Sequence, residues 1–128
     1  MSEASLPLLI HSLAEFRQLI FDCLEAADAR RIFEIGGEDG TFTRELLEWA
    51  EARDADVVCI DPAPREPLEE LARANPRLSL VRGVSVVALG STPPGDAYLI
   101  DGDHNYFTVQ QELQLISAAA ADGQPPLI

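Results

Sequence analysis

Four short clusters in this sequence carry side chains that could do chemistry. The first is Glu34-Ile35-Gly36-Gly37-Glu38-Asp39-Gly40. Its glycines allow a tight turn and let a ligand approach the main chain, while its three acids would repel a phosphate and suit a cation. The second is Asp61, 21 residues after Gly40, a carboxylate able to accept hydrogen bonds from both hydroxyls of a ribose. The third is Gly83-Val84-Ser85, and the fourth is Asp101-Gly102-Asp103-His104-Asn105-Tyr106. His104, with an ordinary pKa of about 6.5, is a candidate general base. Asp101 and Asp103 are oxygen donors of the kind Mg²⁺ takes.

Each cluster follows a short β-rich run. Ile32-Phe33-Glu34-Ile35, Asp56 to Asp61, Leu78-Ser79-Leu80-Val81 and Ala97-Tyr98-Leu99-Ile100 read as strands, bounded by Gly, Pro and Asn turn signals. Between them the apolar spacing turns helical: from Thr41 with Phe42, Leu46, Leu47 and Trp49-Ala50, then over Leu68 to Ala74. Gly83 to Leu89 reads as loop and a weak helix. A last helix is expected from about Asn105 to Ala121, with Val109, Leu113 and Ile116 facing inward. Leu127-Ile128 looks like the start of a fifth strand. Ahead of the sheet, the capping box Ser12-Leu13-Ala14-Glu15 opens an expected amphipathic helix over 12–28, with Phe16, Leu19, Ile20, Cys23, Leu24 and Ala27 apolar.

Strands alternating with helices predict a doubly wound, mostly parallel α/β sheet of Rossmann-like type, with helices on both faces and an extra N-terminal helix. One domain is expected over 1–128: a helical segment over 1–30 and the Rossmann-like core over 31–128. In such sheets ligands bind at the carboxyl ends of the strands, where all four clusters fall.

Composition removes several function classes. The 128 residues hold nine basic and 22 acidic side chains, a net charge of −13. Such a charge argues against nucleic acid and anionic membrane as partners. All nine basic residues are Arg; without Lys there is no Walker-type phosphate loop and no Schiff-base chemistry. Cys23 and Cys59 sit in apolar contexts and read as buried free thiols without metal-ligand spacing. Neither a membrane span nor a signal pattern is evident, so a cytoplasmic protein is expected.

The ordered clusters resemble the motifs of class I S-adenosylmethionine-dependent methyltransferases over roughly residues 31 to 118. By that resemblance Glu34, Gly36, Gly37 and Gly40 hold the methionine part of the cofactor, Asp61 binds the ribose, and Gly83-Val84-Ser85 lies against the adenine. Asp101 through Tyr106, followed by Val109 and Glu112-Leu113, is similar to the DGDHxYxxVxxDL signature of a subgroup that includes metal-dependent O-methyltransferases of sugars and small molecules. The implied function is O-methylation of a small-molecule acceptor, with S-adenosylmethionine and Mg²⁺ as cofactors. His104 and Asp101 are then catalytic and Asp101 is also a cofactor contact, with Asp101 and Asp103 as metal ligands.

The family fold has seven strands in the order 3-2-1-4-5-7-6, so a chain ending at the fifth is expected to be truncated. Its strand-four edge, Tyr98 to Ile100, would then be exposed and favour a homodimer. Structural roles stand beside the functional ones. The glycines could form a plain turn, Glu34 a salt bridge, Asp61 a strand terminator, and His104 a backbone hydrogen bond. Two other functions fit the same fold: a nucleotide-dependent oxidoreductase, disfavoured by the lack of GxGxxG, and a non-catalytic assembly domain.

Overall fold

A computed structural model describes residues 16–102, 106–120 and 125–128; His11 and the expected capping box at 12–15 lie outside them. Four strands form where the β-rich runs stand: β1 (Arg31–Ile35), β2 (Asp56–Asp61), β3 (Leu78–Arg82) and β4 (Ala97–Ile100). They are joined by α1 (Arg17–Ala26) ahead of β1, α2 (Thr41–Ala52), α3 (Glu66–Ala74), the single turn α4 (Ser85–Ala88), and α5 (Tyr106–Ala119). α3 begins two residues earlier than the sequence predicts, because Pro67 suits the first helical turn and Glu66 and Glu69 favour its amino end.

Every strand pairing is parallel and the order is β3-β2-β1-β4. The sheet therefore grows outward through β2 and β3, then reverses to the other side of β1. The register aligns Ile35 with Ile60 and Ile100, and Ile60 with Val81. All four strands thus stop in one row, which levels the loops that follow them. This row is the structural basis of the site.

The period-two alternation of the strands divides the core in two. Ile32, Val57, Cys59, Leu78 and Ala97 face α1, α2 and α3, packing with Leu24, Phe42, Leu46, Leu47, Ala50 and Leu68. Phe33, Ile35, Val58, Ile60 and Tyr98 face the other way, against Ala88, Leu89 and Ile116 of the α4 and α5 region. Tyr98 stacks on Phe33 with ring centroids 4.8 Å apart, and its hydroxyl accepts a hydrogen bond from the Gly95 amide at 2.8 Å.

Several expectations are corrected. Cys23 is exposed, not buried, because α1 turns Leu24 into the core and leaves Phe16 and Leu19 outside. Trp49 is only half-buried; it stacks beside Phe21 and under the Arg53 guanidinium. On α5, Ile116 faces inward as predicted, at 1% exposed, but Leu113 is 37% exposed and Glu112, at 1%, takes its place on the inward face. The strand-four edge is partly covered. Leu127 forms a parallel bridge with Ala97, donating to the Asp96 carbonyl and accepting from the Tyr98 amide. Among the described residues, no helix is long and apolar enough to cross a membrane.

Candidate functional site

The first loop is fastened to its neighbours by main-chain contacts. The Gly36 amide donates to the Ile60 carbonyl at 2.8 Å, and the Asp101 amide donates to the Ile35 carbonyl at 2.9 Å. Gly36 has a left-handed φ of +94°, and a Cβ on it would lie 2.5 Å from the Asp101 carbonyl oxygen. Only glycine allows β1 to turn there while pressed against the end of β4. Gly37 is held as closely, since a Cβ would meet Cys59 Sγ at 2.4 Å. Gly40 stands at the amino end of α2.

Asp61 organises this loop. One carboxylate oxygen accepts the Glu38 amide at 2.8 Å, and the other accepts the Ala63 amide at 2.8 Å. Glu38 itself takes a left-handed φ of +54°, a conformation that costs a non-glycine residue about 1 kcal/mol or more. The hydrogen bond to Asp61 offsets that cost. A carboxylate has about four acceptor positions, so two remain at Asp61. The Asp61 carbonyl also accepts the Gly83 amide at 3.1 Å, tying the β2 and β3 loops together.

Glu34 lies beneath the loop, fully buried between the sheet and α2. It accepts a hydrogen bond from Thr43 Oγ1 at 2.5 Å, and Cys59 is a second hydrogen-bonding neighbour. Burial pushes its carboxyl up to about 7, with the charges of Asp101 and Asp61 adding to the rise. Burial and the neighbouring Glu34 and Asp61 push the Cys59 thiol upward as well. Asp39, exposed at the loop tip, is held below its ordinary range by hydrogen bonds from the Thr41 hydroxyl and amide.

On the opposite side of the strand ends lies a mostly apolar cavity of about 310 Å³. Ile35 and Gly36, Ile60 and Pro62, Val84 through Val86, and Gly102 bring all four strand-end loops to it, and Thr108 and Glu112 of α5 close it. Of the predicted cofactor residues, Gly36, Val84 and Ser85 line this cavity. Glu34, Gly37, Gly40, Asp61 and Gly83 do not; Glu34 and Asp61 hold the loop from the α2 side. Asp101 sits half-buried at the end of β4, beside cavity-lining Gly102.

Asp103, His104 and Asn105 lie outside the described residues. Among the described residues, no three His, Cys, Asp or Glu side chains are grouped to hold a metal ion; of the two expected Mg²⁺ ligands, Asp101 is described and Asp103 is not. Sequence reasoning missed two participants. Thr43 carried a signal: a hydroxyl in the first turn of a helix that follows an acidic strand end. Glu112 carried none, since a lone acid on a helix normally faces water.

Three solved structures are similar to this chain in fold. An O-methyltransferase family protein from Burkholderia thailandensis superposes with a TM-score of 0.61 at 13% identity, over 88% of this chain and 37% of its own. An O-methyltransferase from neocarzinostatin biosynthesis, in complex with S-adenosylmethionine and 2-hydroxy-5-methyl naphthoic acid, gives 0.59 at 19% identity, over 86% and 38%. The C-terminal domain of precorrin-6Y C5,15-methyltransferase from Rhodobacter capsulatus gives 0.51 at 21% identity, over 74% and 54%. No protein-family profile matches the chain. The chain therefore spans well under half of the two O-methyltransferases, and what it shares with all three proteins is a Rossmann-like α/β fold.

Proposed function

We propose that this chain binds S-adenosylmethionine at the carboxyl end of its sheet, as the cofactor-binding part of a methyltransferase acting on an oxygen of a small molecule. The observation that carries the reading is the convergence of all four strand-end loops on one cavity, with Asp61 fixing the glycine loop beside it. The residues present fit the cofactor. A cavity of about 310 Å³ falls in the usual range for small-molecule sites, and its apolar walls suit a base. The acids Glu38, Asp39 and Asp61 favour a sulfonium cation over a pyrophosphate. The neighbour solved with S-adenosylmethionine and a hydroxylated naphthoic acid supports the choice of cofactor and of an oxygen acceptor.

When bound, the cofactor supplies a methyl group on positively charged sulfur. The methyl carbon bonds to the acceptor oxygen as its bond to sulfur breaks, and the bond pair stays on sulfur. The protein's part is placement and charge. In this reading Gly36 lets the cofactor approach the main chain, the free acceptor positions of Asp61 take the ribose hydroxyls, and Val84 and Ser85 border the base. His104 takes the proton released by the acceptor.

Calorimetric titration with S-adenosylmethionine and S-adenosylhomocysteine, with NAD as control, tests this directly. The first two are expected to bind and NAD not. Asp61→Asn, which keeps one acceptor oxygen, should weaken binding roughly 10- to 100-fold with an unchanged far-UV spectrum. Failure of both sulfur ligands to bind, or equal binding of NAD, would overturn the assignment. Where an acceptor is found, His104→Ala should slow methyl transfer on the order of 10²–10⁴-fold.

A further inference from the structure

Arg31 stands apart from the other cations. Six of the nine Arg residues, at positions 17, 30, 53, 73, 77 and 82, form ion pairs. Arg44 and Arg65 are exposed to water. Arg31 is half-buried at the start of β1, yet among the described residues its guanidinium has no carboxylate and no hydrogen-bond acceptor. It lies over the Phe33 ring, 5.5 Å from the centroid, and Phe33 stacks in turn on Tyr98. Its Nε is enclosed. Nη1 and Nη2, equally unbonded, are not enclosed and therefore reach the surface.

A hollow of about 430 Å³ opens there, at the amino end of the sheet. It shares no lining residue with the strand-end cavity at the opposite pole. Arg31 lines it with Pro94, Pro125 and Pro126, whose rings make stiff walls, and with Asp28 and Asp96. Both acids are engaged elsewhere. Asp96 accepts the Arg30 amide at 2.9 Å and the Arg31 amide at 3.0 Å, and Asp28 pairs with Arg30 at 3.2 Å. Among the described residues, the Arg31 guanidinium is the charge in this hollow that lacks a partner.

We infer that the hollow is a second binding site, for a small organic monocarboxylate whose two oxygens take the forked donors of Nη1 and Nη2. The volume falls in the usual range for small-molecule sites, and the ring beneath the guanidinium shields it from water on one side, which strengthens its attraction for an anion. A phosphate dianion fits less well, since its second charge would face Asp28 and Asp96. The site is separate from the proposed cofactor cavity and stands whether or not that cavity takes S-adenosylmethionine.

The test is a nuclear magnetic resonance titration in which acetate replaces chloride at constant ionic strength, following the Arg31 Nε–H and the Arg31 and Asp96 amides. Acetate should give saturable shifts at these signals. Phosphate at pH 8, where it is mostly a dianion, should bind more weakly. Arg31→Gln should weaken acetate binding at least about tenfold, with an unchanged far-UV spectrum. Absence of saturable shifts with acetate would overturn the inference, and phosphate binding as tightly as acetate would overturn the monocarboxylate assignment. Both readings come from the unaltered chain and need no variant. Acetate binding undiminished in a folded Arg31→Gln would overturn the role of Arg31.

Discussion

The two faces of the sheet are built differently. Among the described residues, thirteen buried ones form one cluster on the face covered by α1, α2 and α3, with Phe21, Trp49 and Leu71 packed around it. On the other face the cluster holds eight buried residues among those described, covered by α5 and a single turn, with Val87 67% and Phe107 64% exposed nearby. The first face is packed from Leu46 and Val57 up to Glu34 and opens at its β4 edge, between α1 and Leu127, into a hollow of about 260 Å³; the second opens into the cavity at the strand ends. Stability is concentrated on one side of the sheet and binding capacity on the other, an expected division since ligand sites draw on the less stable regions of a fold.

The largest effect should come from breaking the thick face. Leu46 is fully buried on α2, and Leu46→Ala should cost about 2–5 kcal/mol through lost transfer energy and the cavity left behind. Urea unfolding measures it. A loss under about 1 kcal/mol would mean that this face is not the stabilising one.

Next comes the pH dependence of Glu34, the polar residue buried at the top of that face. Its folded-state pKa, about 7, lies above the ordinary carboxylate value, so the folded state holds a proton that the unfolded chain has released. That contribution is fully present below the unfolded value of 4.5 and is lost as the pH rises through about 7. Between pH 4 and pH 8 the unaltered chain should lose about 3 kcal/mol relative to Glu34→Gln. Parallel stability–pH curves for the two proteins would place the proton elsewhere.

The third effect falls where the glycine loop meets the thick face. Gly37→Ala would drive a methyl group into Cys59 Sγ and should cost about 1–3 kcal/mol. In a Cys59→Ala background the same change should cost at least about 1 kcal/mol less, a coupling that a double-mutant cycle reads directly. Additive costs would show that the loop yields instead of the thiol.

Much of the thick face was legible in the sequence and less of the thin one, for physical reasons. β2 and β4 fall at their expected bounds because Asp-Pro and Gly-Asp punctuate buried runs of Val, Ile and Leu. Phe42, Leu46, Leu47 and Ala50 trace an unbroken helical stripe that the fold obeys. α5 has a weaker apolar contrast, so Leu113 could be read as inward, beside the buried Ile116, where Glu112 stands instead. Its rotation brings Glu112 to the Ser85 hydroxyl, 27 residues away in the chain, a pairing that no local spacing can show. The same limit applies at the site. The clusters could be located from strand ends, but that Asp61 spends two acceptor positions on the amides of Glu38 and Ala63 is a fact of tertiary structure.

The smallest effect is the sharpest test of the division between faces. Val87 lies on α4, mostly exposed beside the cavity wall formed by Val84 to Val86. A mostly exposed apolar side chain has little transfer energy to lose, so Val87→Ser should change stability by no more than about 0.5 kcal/mol. The same substitution on the thick face, at Val57, removes a fully buried side chain and buries an extra hydroxyl, at a cost of about 2–4 kcal/mol. The ratio of these losses, measured by urea unfolding under one set of conditions, quantifies the asymmetry. Near-equal losses would mean that α4 is as firmly built into the fold as the strands. In that case the cavity beside it would be a rigid feature of the core, and the division of labour between the two faces would not hold.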